Sequence, residues 1–447
     1  MLRLLRTATP VQLLVLGFAV IVLVGAGLLA LPVSSARGAW QPFVDCLFMA
    51  SSAISTTGLV VVDIGTDLSL FGQLVMLVII QVGGIGYMCF LPLVVIGLLG
   101  TRLSIGSRML LRESMARPTW LDMVKFTRVI LVTTAVVETI GAAVLAAWWS
   151  RTLPLGTAIY AGVFHSINAF CTAGMSIWSD SMTNIGSAAV PNVTLMLLEL
   201  AGGIGFFVLY DIARKGKKVA RGVHPRALST HTRLAISATA LLIIAGASAI
   251  LLTEWRVGGM AVRDRLFTAL FQAVSASTTT GFNTVDIAGL RAPALFAILV
   301  LMFIGASPNS TGGGIKTTTL GVMAAGMWSL FCGRADITLF RRRIPAGVLH
   351  AASSLTLAAV LWCVAVLGVL VIVEPAPFLD LLFEVTSAFG NVGLSLGVTA
   401  GLSTLSKAVL AATMFFGRLG PLAIGFSLIG RREAPPHHYA EDEIYVG

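Results

Sequence analysis

The chain has 447 residues, of which 57% are hydrophobic and only 11% charged, and its mean hydropathy is +0.93. Those values exclude an ordinary water-soluble protein and point to an integral membrane protein. The net charge of +10 and the pI near 9.8 follow from membrane topology, set out next, and nucleic acid is excluded as a partner.

A helix needs about 20 apolar residues to cross the hydrocarbon core. Eight runs qualify, at about 11–31, 70–98, 126–148, 192–212, 233–252, 295–330, 350–373 and 405–429. Arg3 and Arg6 precede the first run, but it exceeds the roughly 7–15 apolar residues of a secretory signal, so a retained helix is expected. Between the runs, basic residues gather in alternate loops: Arg102, Arg108, Arg112, Arg117, Lys125 and Arg128; Arg214, Lys215, Lys217, Lys218, Arg221, Arg226 and Arg233; Arg334, Arg341, Arg342 and Arg343. The positive-inside rule places these loops and both termini in the cytoplasm, against anionic lipid headgroups. The other connections carry Asp45, Asp63, Asp67, Asp180, Asp264, Asp286, Asp380 and Glu384. Cys46, Cys89, Cys171, Cys332 and Cys363 have no C-x-x-C spacing and suggest apolar packing, not a zinc site or a disulfide framework.

Four segments between these runs resemble one another. They are FMASSAISTTGLVVVD ending at Asp63, FHSINAFCTAGMSIWSD at Asp180, FQAVSASTTTGFNTVD at Asp286 and FEVTSAFGNVGLSLGVT at Thr399. Their glycines, Gly58, Gly174, Gly281 and Gly393, are spaced by 116, 107 and 112 residues. Ten residues before each stands Phe48, Phe164, Phe271 or Phe383; five before, Ala53, Ala169, Ala276 or Ala388; six before, Ser52, Asn168, Ser275 or Ser387. Each repeat therefore reads as a spanning helix, a short helix of about 12 residues and a second spanning helix. At about 18 Å the short helix cannot cross, so it enters and returns. Irregular backbone at membrane depth must line a cavity or lie buried in protein. Four such turns around one axis form a ring of carbonyl oxygens suited to a monovalent cation. The helix C-terminal dipoles favour a cation there, and Asp63, Asp180 and Asp286 sit at the outer mouth and concentrate cations.

At these residues the chain resembles the Trk/Ktr/HKT superfamily of potassium transporters. The resemblance extends to GGIG at Gly83–Gly86 and Gly202–Gly205, SPNSTGGGIKTTT at Ser307–Thr319 and FGRLGP at Phe416–Pro421. It covers essentially the whole chain and is most like the Ktr-type pore subunit, since the longer Trk-type relatives carry extra N-terminal helices. It implies an all-α membrane protein with four tandem helix–pore-loop–helix repeats and eight spanning helices, divided at 1–110, 111–222, 223–343 and 344–430, with a cytoplasmic tail at 431–447. It also implies potassium uptake across the cell (inner) membrane, a homodimer, a cytosolic regulatory nucleotide-binding ring, and in some members sodium dependence. No organic cofactor and no enzymatic chemistry are implied. The resemblance assigns the filter to Thr56, Thr57 and Gly58; Thr172, Ala173 and Gly174; Thr279, Thr280 and Gly281; and Asn391, Val392 and Gly393. Members that admit sodium often carry serine at the first filter glycine, so Gly58 implies potassium selectivity. Repeats two and four lack the double threonine, which makes the ring only approximately four-fold.

The run 295–330 is too long for one crossing and is interrupted by GASPNSTGGGIKTTT. Proline and several glycines cannot hold a helix there, so two half-helices joined by an intramembrane loop are expected. The resemblance makes that loop a gate, with Gly305, Ser307, Gly312, Gly313, Gly314, Lys316 and Arg418. A phosphate loop is excluded because Ile315 stands where glycine must precede the lysine. Arg418 in an apolar helix is a functional candidate by position, a constriction below the filter. Lys316 has two readings, gate element or interfacial anchor. Glu199 pairs across the vestibule, packs internally, or is protonated. His165 reads as a hydrogen-bonded structural residue, and the tail as a contact or a disordered terminus. The alternative function is a secondary transporter of another small cationic solute, which also uses broken midplane helices.

Overall fold

The structure is a computed structural model and describes residues 10–99, 120–220, 228–254 and 261–420. Arg3, Arg6, Arg102, Arg108, Arg112, Arg117, Arg221, Arg226, Pro421 and the tail 431–447 lie outside the described residues.

Long and short helices alternate in chain order. The first repeat holds α1 (Pro10–Ala30), α2 (Phe43–Ile54) and α3 (Leu70–Leu99); the second holds α4 (Trp120–Trp149), α5 (Leu155–Phe170), α6 (Ala189–Gly203) and α7 (Phe206–Ala220). The third holds α8 (Thr230–Glu254), α9 (Val262–Thr278), α10 (Ala292–Ile304) and α11 (Thr317–Phe331), and the fourth holds α12 (Ala346–Val373), α13 (Phe378–Gly390) and α14 (Thr404–Leu419). The short helices α2, α5 and α13 start directly after Pro42, Pro154 and Pro377, whose fixed φ admits helix on one side only. Asp45, Asp264 and Asp380 lie in the first turns of α2, α9 and α13, where the helix dipole favours an anion.

The four phenylalanines of the repeat interlock neighbouring repeats. Phe48 of the first repeat is buried in the core formed by α12, α13 and α14 of the fourth. Phe383 of the fourth is buried in the core of α8, α9 and α10 of the third. Phe271 of the third joins the core of the first two repeats, where Phe164 also lies. Each buried aromatic ring therefore contributes apolar area between repeats as well as within one.

Among the described residues, three helical segments are individually long and apolar enough to span a membrane: Phe126–Trp149, Thr230–Glu254 and Ala346–Val373. Val15–Ala30, Leu70–Ile85 and Ala292–Ile304 are shorter apolar helices. Leu357, Leu361 and Val364 on α12 and Leu23 and Val24 on α1 are more than half exposed, as befits a surface facing lipid. The expected break in 295–330 falls at 305–316, between α10 and α11.

Two expectations are corrected. The run 192–212 is not one straight helix, since α6 and α7 meet at a 100° bend. Gly205, with φ +96°, makes the turn, and its Phe206 N–H leaves the helix ladder to bond the Asn309 carbonyl at 2.8 Å. The basic loop at 334–343 departs from the all-α class expected for the chain. It forms a hairpin of β1 (Ile337–Leu339) and β2 (Arg342–Ile344), closed by Phe340 and Arg341 at φ 51° and 63°, the signature of a type I′ turn.

Behind each short helix a glycine of a following element passes its last turn: Gly83 against Ile54 O, Gly202 against Phe170 O, Gly312 against Thr278 O and Gly417 against Phe389 O. A Cβ on Gly202 or Gly417 would overlap a backbone oxygen. Gly202→Ala and Gly417→Ala are each expected to cost about 1–3 kcal/mol and to lower the melting temperature in detergent. Gly27→Ala and Gly368→Ala, where a Cβ meets nothing within 4 Å, serve as neutral controls.

Candidate functional site

The C-termini of the four short helices meet. Each ends in the same left-handed cap, with Thr56, Thr172, Thr279 and Asn391 at φ 54°, 52°, 60° and 53°. The next residue's N–H bonds five back, Thr57 to Ser52 O, Ala173 to Asn168 O, Thr280 to Ser275 O and Val392 to Ser387 O. The capping residue bonds three back, to Ala53, Ala169, Ala276 and Ala388 O. This pair of bonds is the Schellman arrangement. It accounts for the alanine and small-polar columns, which supply the two carbonyls at the end of each short helix.

Serines do further work. Ser52 Oγ accepts the Gly58 N–H at 3.1 Å, Ser275 Oγ that of Gly281 at 3.1 Å, and Ser387 Oγ that of Gly393 at 3.0 Å. In the second repeat the equivalent Asn168 instead donates to Phe164 O at 2.9 Å. With three of their N–H groups held behind them, the four glycines close a ring. The Gly58 α-carbon faces the Ala173 carbonyl, Gly174 faces that of Thr280, Gly281 that of Val392, and Gly393 that of Thr57. Each approach leaves no space for a Cβ, and all four glycines have φ between 60° and 93°. The ring thus runs in chain order and closes from the fourth repeat onto the first.

Outside the ring lies a cavity of about 310 Å³ lined by all four glycines, Asp63 and Asp286, Ser176, Asn283, Ser395 and Thr399. Asp180 is not among its lining residues: it is exposed and accepts a hydrogen bond from the Thr183 hydroxyl in a surface turn. Asp63 is partly a turn residue, accepting the N–H groups of Gly65 at 2.8 Å and Thr66 at 2.9 Å. Burial opposes its ionisation, yet hydrogen bonds from Ser179, Thr66 and Gly65 outweigh it and hold the carboxyl below the usual carboxylate range.

Beneath the ring lies the loop 305–316. Thr311 is its pivot. Its carbonyl accepts the Thr56 hydroxyl at 3.1 Å and one guanidinium nitrogen of Arg418. Its hydroxyl donates to Phe170 O at 3.1 Å and lies 3.1 Å from the Thr172 hydroxyl, and its N–H bonds Gly202 O at 3.2 Å. Next to it, Gly313 N–H donates to Thr279 Oγ1 at 3.0 Å. The loop therefore touches the caps of three repeats, and the fourth cap, Asn391, crowds Gly313. Arg418, 7% exposed, also donates to Gly83 O at 2.7 Å, joining the fourth repeat to the first.

Of the two readings of Lys316, the geometry favours a loop role. Its ammonium folds back onto Gly312 O at 2.7 Å and Gly313 O at 2.9 Å. Gly305 and Gly314, at φ 72° and 76°, turn the chain in and out of the loop, and Ser307 Oγ bonds Thr317 Oγ1 at 2.8 Å across its neck. A cavity of about 180 Å³ opens below, lined by Gly312, Gly314, Lys316 and Arg418. Glu199 is fully buried, and neither carboxylate oxygen has a hydrogen-bond partner among the described residues. The sequence reading missed Thr311, one hydroxyl among several in a polar loop, and the capping role of Asn391. Asn391 donates to Thr57 Oγ1 at 2.8 Å and Met414 O at 2.8 Å. Its occurrence at a threonine column is the signal that was available, because asparagine tolerates positive φ.

Comparison with known proteins matches residues 9–431 to the family model TrkH, described as cation transport protein. The Ktr system potassium uptake protein B of Bacillus subtilis is 34% identical over 98% of this chain and 97% of its own length. Its namesake from Vibrio alginolyticus is 33% identical over 98% and 94%. The potassium/sodium uptake protein NtpJ of Enterococcus hirae is 31% identical over 100% and 99%. Among solved structures, the potassium transporter TrkH from Vibrio parahaemolyticus superposes with a TM-score of 0.72 at 23% identity, covering 93% of this chain and 84% of that one. That likeness establishes the shared fold.

The Asp63 turn yields a pH prediction. A carboxyl whose pKa is depressed by folding stabilises the fold above the unfolded value of about 3.9, and this is lost as pH falls through the folded value. Hydrogen exchange across residues 59–70, corrected for intrinsic rate, is expected to accelerate on acidification below about pH 4. Asp63→Asn should remove that step while leaving other segments unchanged.

Proposed function

The chain belongs to the TrkH family of cation transport proteins, and from that membership we propose that it takes up potassium through the ring closed by Gly58, Gly174, Gly281 and Gly393. The observation that carries the reading is the cyclic contact of four backbone segments, each glycine against the next repeat's carbonyl. A dehydrated monovalent cation needs such a set of neutral oxygens in place of its water shell. The ring residues from Thr56 to Gly58, Thr172 to Gly174, Thr279 to Gly281 and Asn391 to Gly393 are the selectivity filter in this reading. Relatives named as potassium uptake proteins along nearly their whole length support the choice of ion. NtpJ, named for potassium and sodium, supports sodium as a second carried or coupled ion.

In the same proposal the eight apolar runs cross the cell membrane, the four repeats are parallel, and both termini are cytoplasmic. Asp63 and Asp286 then stand at the outer mouth. The loop 305–316 is the gate: Thr311 seals the underside of the filter, Lys316 holds the loop in its compact shape, and Arg418 pins it from the fourth repeat. A positive charge below the ring also raises the barrier to a cation. The proposal includes a homodimer and a cytosolic nucleotide-binding ring as partners, and relatives named as members of a Ktr system support a multi-component assembly. A secondary transporter of another small cationic solute is disfavoured, because broken-helix transporters are commonly built from two inverted halves, whereas four like segments meet here.

Growth of a potassium-uptake-deficient bacterium at low potassium, with a cytosolic ring subunit co-expressed, tests the reading. The wild type is expected to restore growth, and Gly281→Asp, which puts a side chain into the ring contact, to abolish it at equal expression. Failure of a well-expressed wild type in both the presence and absence of the ring subunit would sink the reading. For the gate, Arg418→Ala and Thr311→Ala each remove a hydrogen bond to or from the loop. Thr311→Ala is expected to raise the potassium flux about fivefold, as suits the roughly 1 kcal/mol of a neutral hydrogen bond, and Arg418→Ala about tenfold or more, since its bonds carry a charge. Thr311→Ala keeps the carbonyl that Arg418 bonds and removes the hydroxyl bond to Phe170 O, so the double variant should go further than either alone. Flux unchanged in both would remove Arg418 and Thr311 from the gate.

A further inference from the structure

The four repeats diverge at one position behind the ring. Nine residues before each ring glycine, directly after the buried phenylalanine, stand Met49, His165, Gln272 and Glu384. All four are buried, His165, Gln272 and Glu384 completely. Their chemistry differs, and so does what they hold.

In the second and fourth repeats this side chain reaches the same partner, the serine two residues past the glycine. His165 Nε2 lies 3.1 Å from Ser176 Oγ. Glu384 Oε1 accepts from Ser395 Oγ and, at 2.9 Å, from Thr399 Oγ1. Both serines are oriented in the same way from the other side: Ser176 Oγ accepts the Trp178 N–H at 2.9 Å, and Ser395 Oγ accepts the Gly397 N–H at 2.9 Å, each four residues past the glycine. With an N–H on its lone pair, Ser395 turns its single hydrogen to the Glu384 carboxylate, and Ser176 shares its own between His165 Nε2 and the Ser181 carbonyl at 3.3 Å. The histidine is suited to receive it. His165 Nδ1 faces the Ala161 carbonyl at 2.8 Å and must carry the proton, which leaves Nε2 as the acceptor of a neutral ring. Trp178 stacks on that ring at 4.3 Å and 6° and fixes its plane.

The other two repeats lack this bond. Val60 and Asn283 occupy the serine position. Met49 offers only a sulfur acceptor, 3.5 Å from the Val61 N–H. Neither polar atom of the Gln272 amide has a hydrogen-bond partner among the described residues, and Asn283 turns its own amide to Val285 O at 2.9 Å. Because the ring runs in chain order, the two latched repeats face each other across it.

We propose that His165 and Glu384 are positioning residues that latch the strands leaving the ring at Gly174 and Gly393, and thereby set how well the ring separates potassium from sodium. A carbonyl ring that discriminates by fit does so as firmly as its oxygens are held at one spacing. The latches hold the segments carrying the Ala173 and Val392 carbonyls, two of the four. The inference rests on the ring being the ion path.

The full chain in liposomes tests it through the ratio of potassium to sodium uptake. Glu384→Gln keeps a carbonyl oxygen facing Ser395 and should stay within about twofold of the wild-type ratio, whereas Glu384→Leu and Ser395→Ala each remove the bond and should lower the ratio about tenfold. Their double variant should be no worse than either alone. Ser176→Ala should act alike in the second repeat. Loss of yield or maximal rate with an unchanged ratio would mean a merely structural role and overturn the inference. Ser395→Ala and Ser176→Ala remove one hydroxyl each and keep the test decisive if Glu384→Leu does not fold. A wild type that carries no potassium, with or without an added cytosolic ring subunit, would overturn the transport reading itself, and this inference with it. A wild type that transports but whose serine variants keep its ratio overturns the inference alone.

Discussion

The whole arrangement depends on backbone meeting backbone at four glycines. At each, a neighbouring repeat's carbonyl occupies the volume a Cβ would need, so the ring closes only if every repeat supplies a residue without a side chain. This sets requirements outward from the ring. The short helices must stop at a fixed place, which the left-handed caps achieve. The glycine N–H groups must be satisfied away from the axis, which Ser52, Ser275 and Ser387 accomplish. The caps themselves must be held, because threonine is a poor occupant of positive φ. Holding such residues costs about 1–3 kcal/mol each, and the Thr311 loop and the interlocked phenylalanines offset it.

The loop beneath the ring is polar for the same reason. Three caps point hydroxyls downward, and the underside of a buried ring cannot leave them without partners. Thr311 and Gly313 answer with carbonyl, hydroxyl and N–H groups. Arg418 is tolerated in an apolar helix because it finds the carbonyls of Thr311 and Gly83.

Much of this was legible in the sequence because it repeats. The glycine, phenylalanine and alanine columns mark the ring, the interlocking and the cap carbonyls, and the broken run 295–330 marks the loop. Side chains that do one job once were not legible. Thr311 sits among similar residues with no copy to compare. Asp180 aligns with Asp63 and Asp286 yet turns to Thr183, since a loop after the ring is free to bend differently in each repeat. The bend at Gly205 was hidden because an apolar run looks the same straight or folded, and only its tertiary partner at Asn309 decides. Met49, His165, Gln272 and Glu384 were passed over as a column because they share no chemistry, although their position is fixed.

The closure from the fourth repeat onto the first joins Asn391 to Thr57 across 334 positions of sequence, and Arg418 to Gly83 across 335. A chain made from its N-terminus inserts three repeats before the last partner exists. Until residue 393 has been made, the Gly58 side of the ring lacks its neighbouring backbone. Completion of the ring is thus a late event in biogenesis, and it waits on the end of translation.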